Sequence, residues 1–210
     1  MDGFGIRPVM WSMGARLADA GYLVLLPDLY YRSGVYEPME PKALLAQPDG
    51  REILMRYVGS LDRDKKVADT EAFLAYLATR SDVKGGVAAT GYCLGGNCAL
   101  YAIGAFPKGF AAIASFHGGH LATEAPDSPH RFLSGVSGRV YVAGAIEDNS
   151  FDDEQKARLE AALTAAGVHH LVETYAGARH GWAVPDLPVY DEAAAERHWT
   201  ALLGLLHETL

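Results

Sequence analysis

Cysteine is scarce in this chain: 210 residues hold two, Cys93 and Cys98. That excludes a disulfide framework as the source of stability. A local bridge does not fit either. With a helix opening near Leu94, about 100° per residue carries Cys98 roughly 140° around the axis from Cys93, so the two thiols point apart. Cys98 reads as a small buried apolar residue. Positive charge is also short, with 18 Lys and Arg against 26 Asp and Glu for a net charge of −8. That balance argues against a nucleic-acid partner or an anionic membrane surface. No apolar run is long enough to span a bilayer, and no basic stretch followed by an apolar one opens the chain. A cytoplasmic protein is the default expectation. Repeats, low-complexity tracts and linkers are absent too, so residues 1–210 read as a single domain. Half the residues are hydrophobic, enough for a sizeable core. Nothing points to an oligomer, and a monomer is expected.

What is present is an alternation of strand and helix patterns. Tyr22–Leu26, Gly86–Gly91, Phe110–Phe116, Arg139–Ala145 and His170–Tyr175 are short, apolar or β-branched, and end at Gly, Pro or Asp. Between them lie helical patterns at Arg7–Ala20, at Leu61–Arg80 with Val67, Phe73, Leu74 and Leu77 on one face, and at a segment closing on Gly167. A last helix carries Ala195, Trp199, Leu202 and Leu206. This order predicts an α/β fold, a mostly parallel sheet with helices on both faces. The long irregular stretch Tyr31–Gly50, with Pro38, Pro41 and Pro48, is the expected place for a loop or cap over a site.

The most specific motif is Gly91-Tyr92-Cys93-Leu94-Gly95-Gly96, directly after the run Val87-Ala88-Ala89-Thr90. It reads as a nucleophile elbow, a strand-to-helix turn that presents one reactive side chain. Glycine is needed on either side because backbone approaches too closely for a Cβ. The reactive residue is a thiol, and a thiolate is a strong nucleophile near neutral pH where its charge is stabilised. In an open parallel sheet, functional groups collect at the carboxyl ends of strands. Asp148 follows the strand pattern Arg139–Ala145, and His180 follows the last one in Gly177-Ala178-Arg179-His180-Gly181-Trp182. Nucleophile, acid, histidine is the α/β-hydrolase order. His180 would take the proton of Cys93, and Asp148 would orient the imidazole, with the adjacent Glu147 as competitor for that place. The backbone N–H of Leu94 would supply half of an oxyanion hole. His117 and His120 lie in a glycine turn without a carboxylate pair, which suits pocket lining better than a metal, so no metal site is expected. Tyr30, Tyr31 and Trp182 flank the predicted site and would shape it or simply pack.

These motifs, together with Pro27-Asp28-Leu29-Tyr30, resemble the dienelactone hydrolase family over essentially the whole chain. The resemblance implies an α/β-hydrolase fold and cleavage of a lactone, ester or thioester through an acyl-cysteine, with enol-lactones as type substrate and no cofactor. It implies that Met1–Gly5 is the loop after the family's third strand, with the Gly3 N–H as second oxyanion donor. Asp2 stands where the family carries a glutamate that meets the resting thiol, and is one methylene shorter. Arg32 matches one of two arginines that grip the substrate carboxylate, while Val184 stands where the second would be. A less polar acyl group follows from that loss, with Tyr30 and Trp182 as further substrate contacts.

Two features leave room for a different outcome. By the resemblance, the strand that precedes Met1 belongs between Tyr22–Leu26 and Gly86–Gly91, so the fold is expected to lack N-terminal strands. Either that strand lies upstream of this sequence or the two flanking strands pair directly. Unpaired interior backbone groups would cost about 1–3 kcal/mol each. The shortened Asp2 and the missing arginine keep open a non-catalytic protein of the same fold that binds a small molecule or partner. A thiol redox sensor ranks last, because Cys98 is poorly placed to resolve an oxidised Cys93.

Overall fold

Four of the five strand patterns form one sheet. The computed structural model describes residues 1–210, with strands β1 (Ala88–Tyr92), β2 (Ala112–Phe116), β3 (Arg139–Ala145) and β4 (His170–Tyr175) in that spatial order. Every neighbouring pair is parallel, with Ala88 opposite Ala112, Ala112 opposite Arg139, and Val140 opposite His170. Period-two alternation divides each central strand between two cores. Ile113, Val140 and Val142 join a cluster with Leu100, Ile103, Leu159 and Leu163, whereas Ala114, Phe116, Tyr141 and Ala143 join one with Met10, Trp199, Leu202 and Leu206. Helices therefore cover both faces. Helices α5 (Leu94–Ala105) and α6 (Asp153–Ala165) lie on one side, and α1 (Pro8–Asp19) and α7 (Glu192–Thr209) on the other. Each fully buried Leu, Ile, Val or Phe in these cores contributes about 1.5–3 kcal/mol of transfer free energy.

The helix ends follow local chemistry. Pro8 occupies the first turn of α1, where its missing N–H is no loss. The carboxylates of Asp152 and Asp191 accept from Gln155 N and Ala194 N at 2.8 and 3.0 Å and so start α6 and α7. Asp62 does the same for α4 (Arg63–Ala78), accepting from Lys65 N at 2.9 Å. No helix is long and apolar enough to cross a membrane.

The expected strand Tyr22–Leu26 is not one. That segment carries no strand hydrogen bonding, and the sheet ends at β1. A strand exists only through its ladder, and the direct pairing that would have closed the gap is not made. Between residues 21–27 and the free side of β1 lies a largely apolar cavity of about 550 Å³, lined by Leu17, Val24, Leu26, Phe73, Val87 and Ala89 among others. Met1 closes one end of it. Its carbonyl accepts from Tyr92 N at 3.5 Å, and burial lowers the pKa of its amine.

The stretch 31–50 is also more ordered than expected. It holds a 3-10 turn at Tyr31–Ser33 and α2 (Pro41–Leu45), and α3 (Gly50–Gly59) follows. Ile53, Leu54, Tyr57 and Val58 of α3 pack against the core cluster that includes Met1 and Phe4. The rings of Tyr30, Tyr36 and Tyr57 meet at centroid distances of 5.2–6.0 Å. This region lies over the Met1–Gly5 loop, with Leu54 and Val58 side chains beside Gly3.

Candidate active site

Cys93 sits between the end of β1 and the start of α5 with φ of 52° and ψ of −114°. A non-glycine residue in that region carries strain of order 1–3 kcal/mol and persists only where its surroundings impose it. Here they do. A Cβ on Gly91 would lie 2.1 Å from the carbonyl of Gly95, and one on Gly95 would lie 2.0 Å from the carbonyl oxygen of Met1. Both sites need glycine because three stretches of backbone touch there. The half-buried thiol is held at the N-terminus of α5. Leu94 is the first residue of that helix, so its N–H has no intrahelical acceptor.

The structure brings Cys93, Asp148 and His180 together from three strand ends. The Nδ1–H of His180 donates to Asp148 Oδ2 at 2.7 Å. That leaves Nε2 free of Asp148, and Cys93 is among the groups that raise the pKa of the ring. Burial opposes protonation of His180, but Asp148 and Cys93 outweigh it and push the pKa up to about 10. Burial likewise opposes ionisation of Asp148, yet the bonds from His180 and Ser150 hold it down at about 2. The favoured state of the pair is imidazolium with carboxylate. Asp148 is buried, whereas Glu147 is exposed at φ of 53° and makes no bond to the ring.

Ser150 has no counterpart in the sequence reading. Its hydroxyl and N–H donate to Asp148 Oδ1 at 2.6 and 2.9 Å, and the hydroxyl lies 3.3 Å from His180 Nδ1. The only signal for it was its place two residues after an acid. His117, read from the sequence as pocket lining, lies beside this pair. It is fully buried with φ of 39°, its ring centroid 5.2 Å from that of His180, and burial lowers its pKa well below the usual value. His120 is exposed.

The loop before α1 completes the surroundings. Gly3 N–H makes no hydrogen bond within the chain, while the Gly3 carbonyl accepts from Tyr30 Oη at 2.8 Å. Tyr30 is fully buried, so its role is to anchor this loop rather than to touch a substrate. Trp182 is fully buried as well, packed on His117 and Tyr175 at 4.8 and 5.1 Å. Asp2 does not turn to the thiol. Its oxygens accept from Phe4 N at 2.8 Å and from Arg7 at 2.7 and 2.8 Å. Nor is Arg32 free for a carboxylate, because its two terminal nitrogens donate to Asp69 of α4 at 2.7 and 2.6 Å. Val184 is fully buried. Asp2 and Arg32 thus meet partners within the chain that take up the groups a thiol or a substrate would need, while Tyr30 and Trp182 are fully buried.

Comparison with known proteins bears on the whole span. The profile of the dienelactone hydrolase family matches residues 1–210. A carboxymethylenebutenolidase of Rhodococcus opacus is 27% identical over 203 residues, 94% of this chain and 75% of the relative. One from Pseudomonas sp. (strain P51) is 38% identical over 112 residues, 51% of this chain and 42% of the relative. Among solved structures, a dienelactone hydrolase-like promiscuous phosphotriesterase from metagenomic libraries superposes with a TM-score of 0.77 at 26% identity, over 99% of this chain and 83% of that one.

Proposed function

The chain belongs to the dienelactone hydrolase family, and from that premise we propose that it cleaves lactones, esters or thioesters through Cys93, with His180 as base and Asp148 as its orienting acid. The observation that carries this reading is the His180 imidazole held by Asp148 on Nδ1 at 2.7 Å, with Cys93, Asp148 and His180 each following a different strand end. His180 holds the proton taken from Cys93, and as Sγ bonds the acyl carbon the carbonyl π pair moves onto oxygen. The N–H groups of Leu94 and Gly3 receive that oxyanion. Collapse breaks the bond to the alcohol, enol or thiol, which leaves with the proton from His180. Water, deprotonated by His180, then attacks the thioester, releases the acid and restores the thiol. Residues 1–210 act as one domain, because the site draws on Met1–Gly5, β1, β3 and β4 at once.

The acyl group is uncharged. Arg32 is bound to Asp69 and Val184 is apolar, so neither of the expected arginine positions offers a fork to a carboxylate. Butenolide opening, the activity in the relatives' names, translates here into lactone cleavage with a weak hold on substrate carboxylates.

Incubation with a panel of lactones, activated esters and thioesters, followed by intact-mass measurement, gives an acyl adduct on Cys93. Cys93→Ala and His180→Ala each lower kcat by about 10³-fold or more, because such groups act as a unit. Undiminished turnover in Cys93→Ala overturns the reading.

A further inference from the structure

We propose that Arg7 is a positioning residue that sets the oxyanion side of the site, an inference that rests on the assignment of Cys93, His180 and Gly3 above. Arg7 precedes the first turn of α1 with extended backbone and makes no cap bond with its side chain. The guanidinium turns inward instead, and the residue is 2% exposed. NH1 donates to Asp2 Oδ1 at 2.7 Å and to the Gly5 carbonyl at 3.3 Å. NH2 donates to Asp2 Oδ2 and to Asp186 Oδ1, each at 2.8 Å, and Nε donates to Asp186 Oδ2 at 2.7 Å. A guanidinium has five N–H groups, and all five are used. None remains for a substrate.

The two carboxylates belong to the two loops whose separation matters for the chemistry. Asp2 brackets Gly3, taking the Phe4 N–H on the far side, while Tyr30 holds the Gly3 carbonyl. The Gly3–Phe4 peptide is thus held at both ends, and the preceding Asp2–Gly3 peptide, whose carbonyl accepts from Gly5 N at 3.3 Å, keeps the Gly3 N–H open. Asp186 lies in the loop that follows His180, which folds back through Asp191 N to the Trp182 carbonyl at 3.1 Å. Arg7 is therefore a rigid strut between the loop of the oxyanion donor and the loop of the base. Its planar fork suits that task, whereas a lysine can satisfy only one end with directional bonds.

The test compares Arg7→Lys and Asp186→Asn with the wild type in three readouts: kcat and KM on an activated short-chain ester, the rate of iodoacetamide alkylation of Cys93, and the melting temperature. Alkylation needs the thiol–imidazole pair but no oxyanion hole. In both variants kcat falls about ten-fold or more, since small misplacements of positioned groups are costly, with KM and the alkylation rate within about two-fold. Asp186 is partly exposed, so Asp186→Asn carries the test if Arg7→Lys does not fold. Unchanged kcat in a folded variant, or alkylation and kcat falling in the same proportion, overturns the proposal. Failure of the underlying reading looks different: wild-type alkylation that is slow and indifferent to His180→Ala.

Discussion

Gly95→Ala tests how tightly the elbow and the Met1–Gly5 loop share one space. A Cβ at this position would stand 2.0 Å from the Met1 carbonyl oxygen, 3.2 Å from its carbon and 3.6 Å from its nitrogen, all backbone atoms. No side chain can rotate to relieve the contact, so the loop must retreat from α5 by about 1 Å to reach a normal separation. Two losses follow from that one movement. The Met1 carbonyl leaves Tyr92 N, and Met1 and Phe4 loosen from the core they share with Leu94. Overpacking of this kind costs about 1–3 kcal/mol. The Gly3 N–H moves with the loop, and a displacement of this size lowers kcat by about 10²-fold. The assay is ester turnover at saturating substrate beside urea unfolding, with alkylation of Cys93 as control for the thiol–imidazole pair. A variant with wild-type kcat and an unchanged urea midpoint would refute the argument that the loop lies against the elbow.

Two further outcomes follow from the same geometry. The His180–Asp148 pair makes stability pH-dependent, and the two shifts fix the window. His180 is raised from 6.5 to about 10 and Asp148 is lowered from 3.8 to about 2, so the pair contributes fully between about pH 4 and 6.5. The contribution fades as pH rises toward 10 or falls toward 2. Its size is about 1.5–3 kcal/mol, as for a hydrogen bond to a charged group. Denaturation of wild type and Asp148→Asn across this range should show a stability gap that narrows above pH 6.5, and a gap independent of pH would contradict the pairing. Tyr30→Phe removes the donor to the Gly3 carbonyl and should cost about 1 kcal/mol of stability with a several-fold drop in kcat and unchanged alkylation. A kcat equal to wild type would show that the Gly3 peptide is held without it.

What could be read from the sequence divides along a physical line. Helical periodicity marks elements that close their own hydrogen bonds, and short apolar runs with terminators mark strands wherever a partner stands beside them, so β1 to β4, α1, α4, α6 and α7 were legible within a few residues. Tyr22–Leu26 has the composition of a strand, but a strand is a property of a pair, and composition says nothing of whether a partner stands beside it. Helix α3 went unread although Ile53, Leu54, Tyr57 and Val58 recur with the spacing of one helical face, because it is short and follows directly on the proline-bearing stretch with Pro38, Pro41 and Pro48. The elbow was legible because its glycines answer a clash that any such turn creates. Arg7 and Ser150 were not, since nothing in a sequence tells which of several arginines or serines will be folded onto a particular carboxylate. Arg32 and Asp2 illustrate the converse. Their residue types fit a role toward substrate or thiol, yet each meets a charged partner within the chain first, and a paired group is no longer available. Asp69 claims Arg32, and Asp2 and Asp186 claim Arg7, so on the proposed reading neither arginine offers a fork to a substrate carboxylate and selection would rest on the shape and polarity of the acyl group.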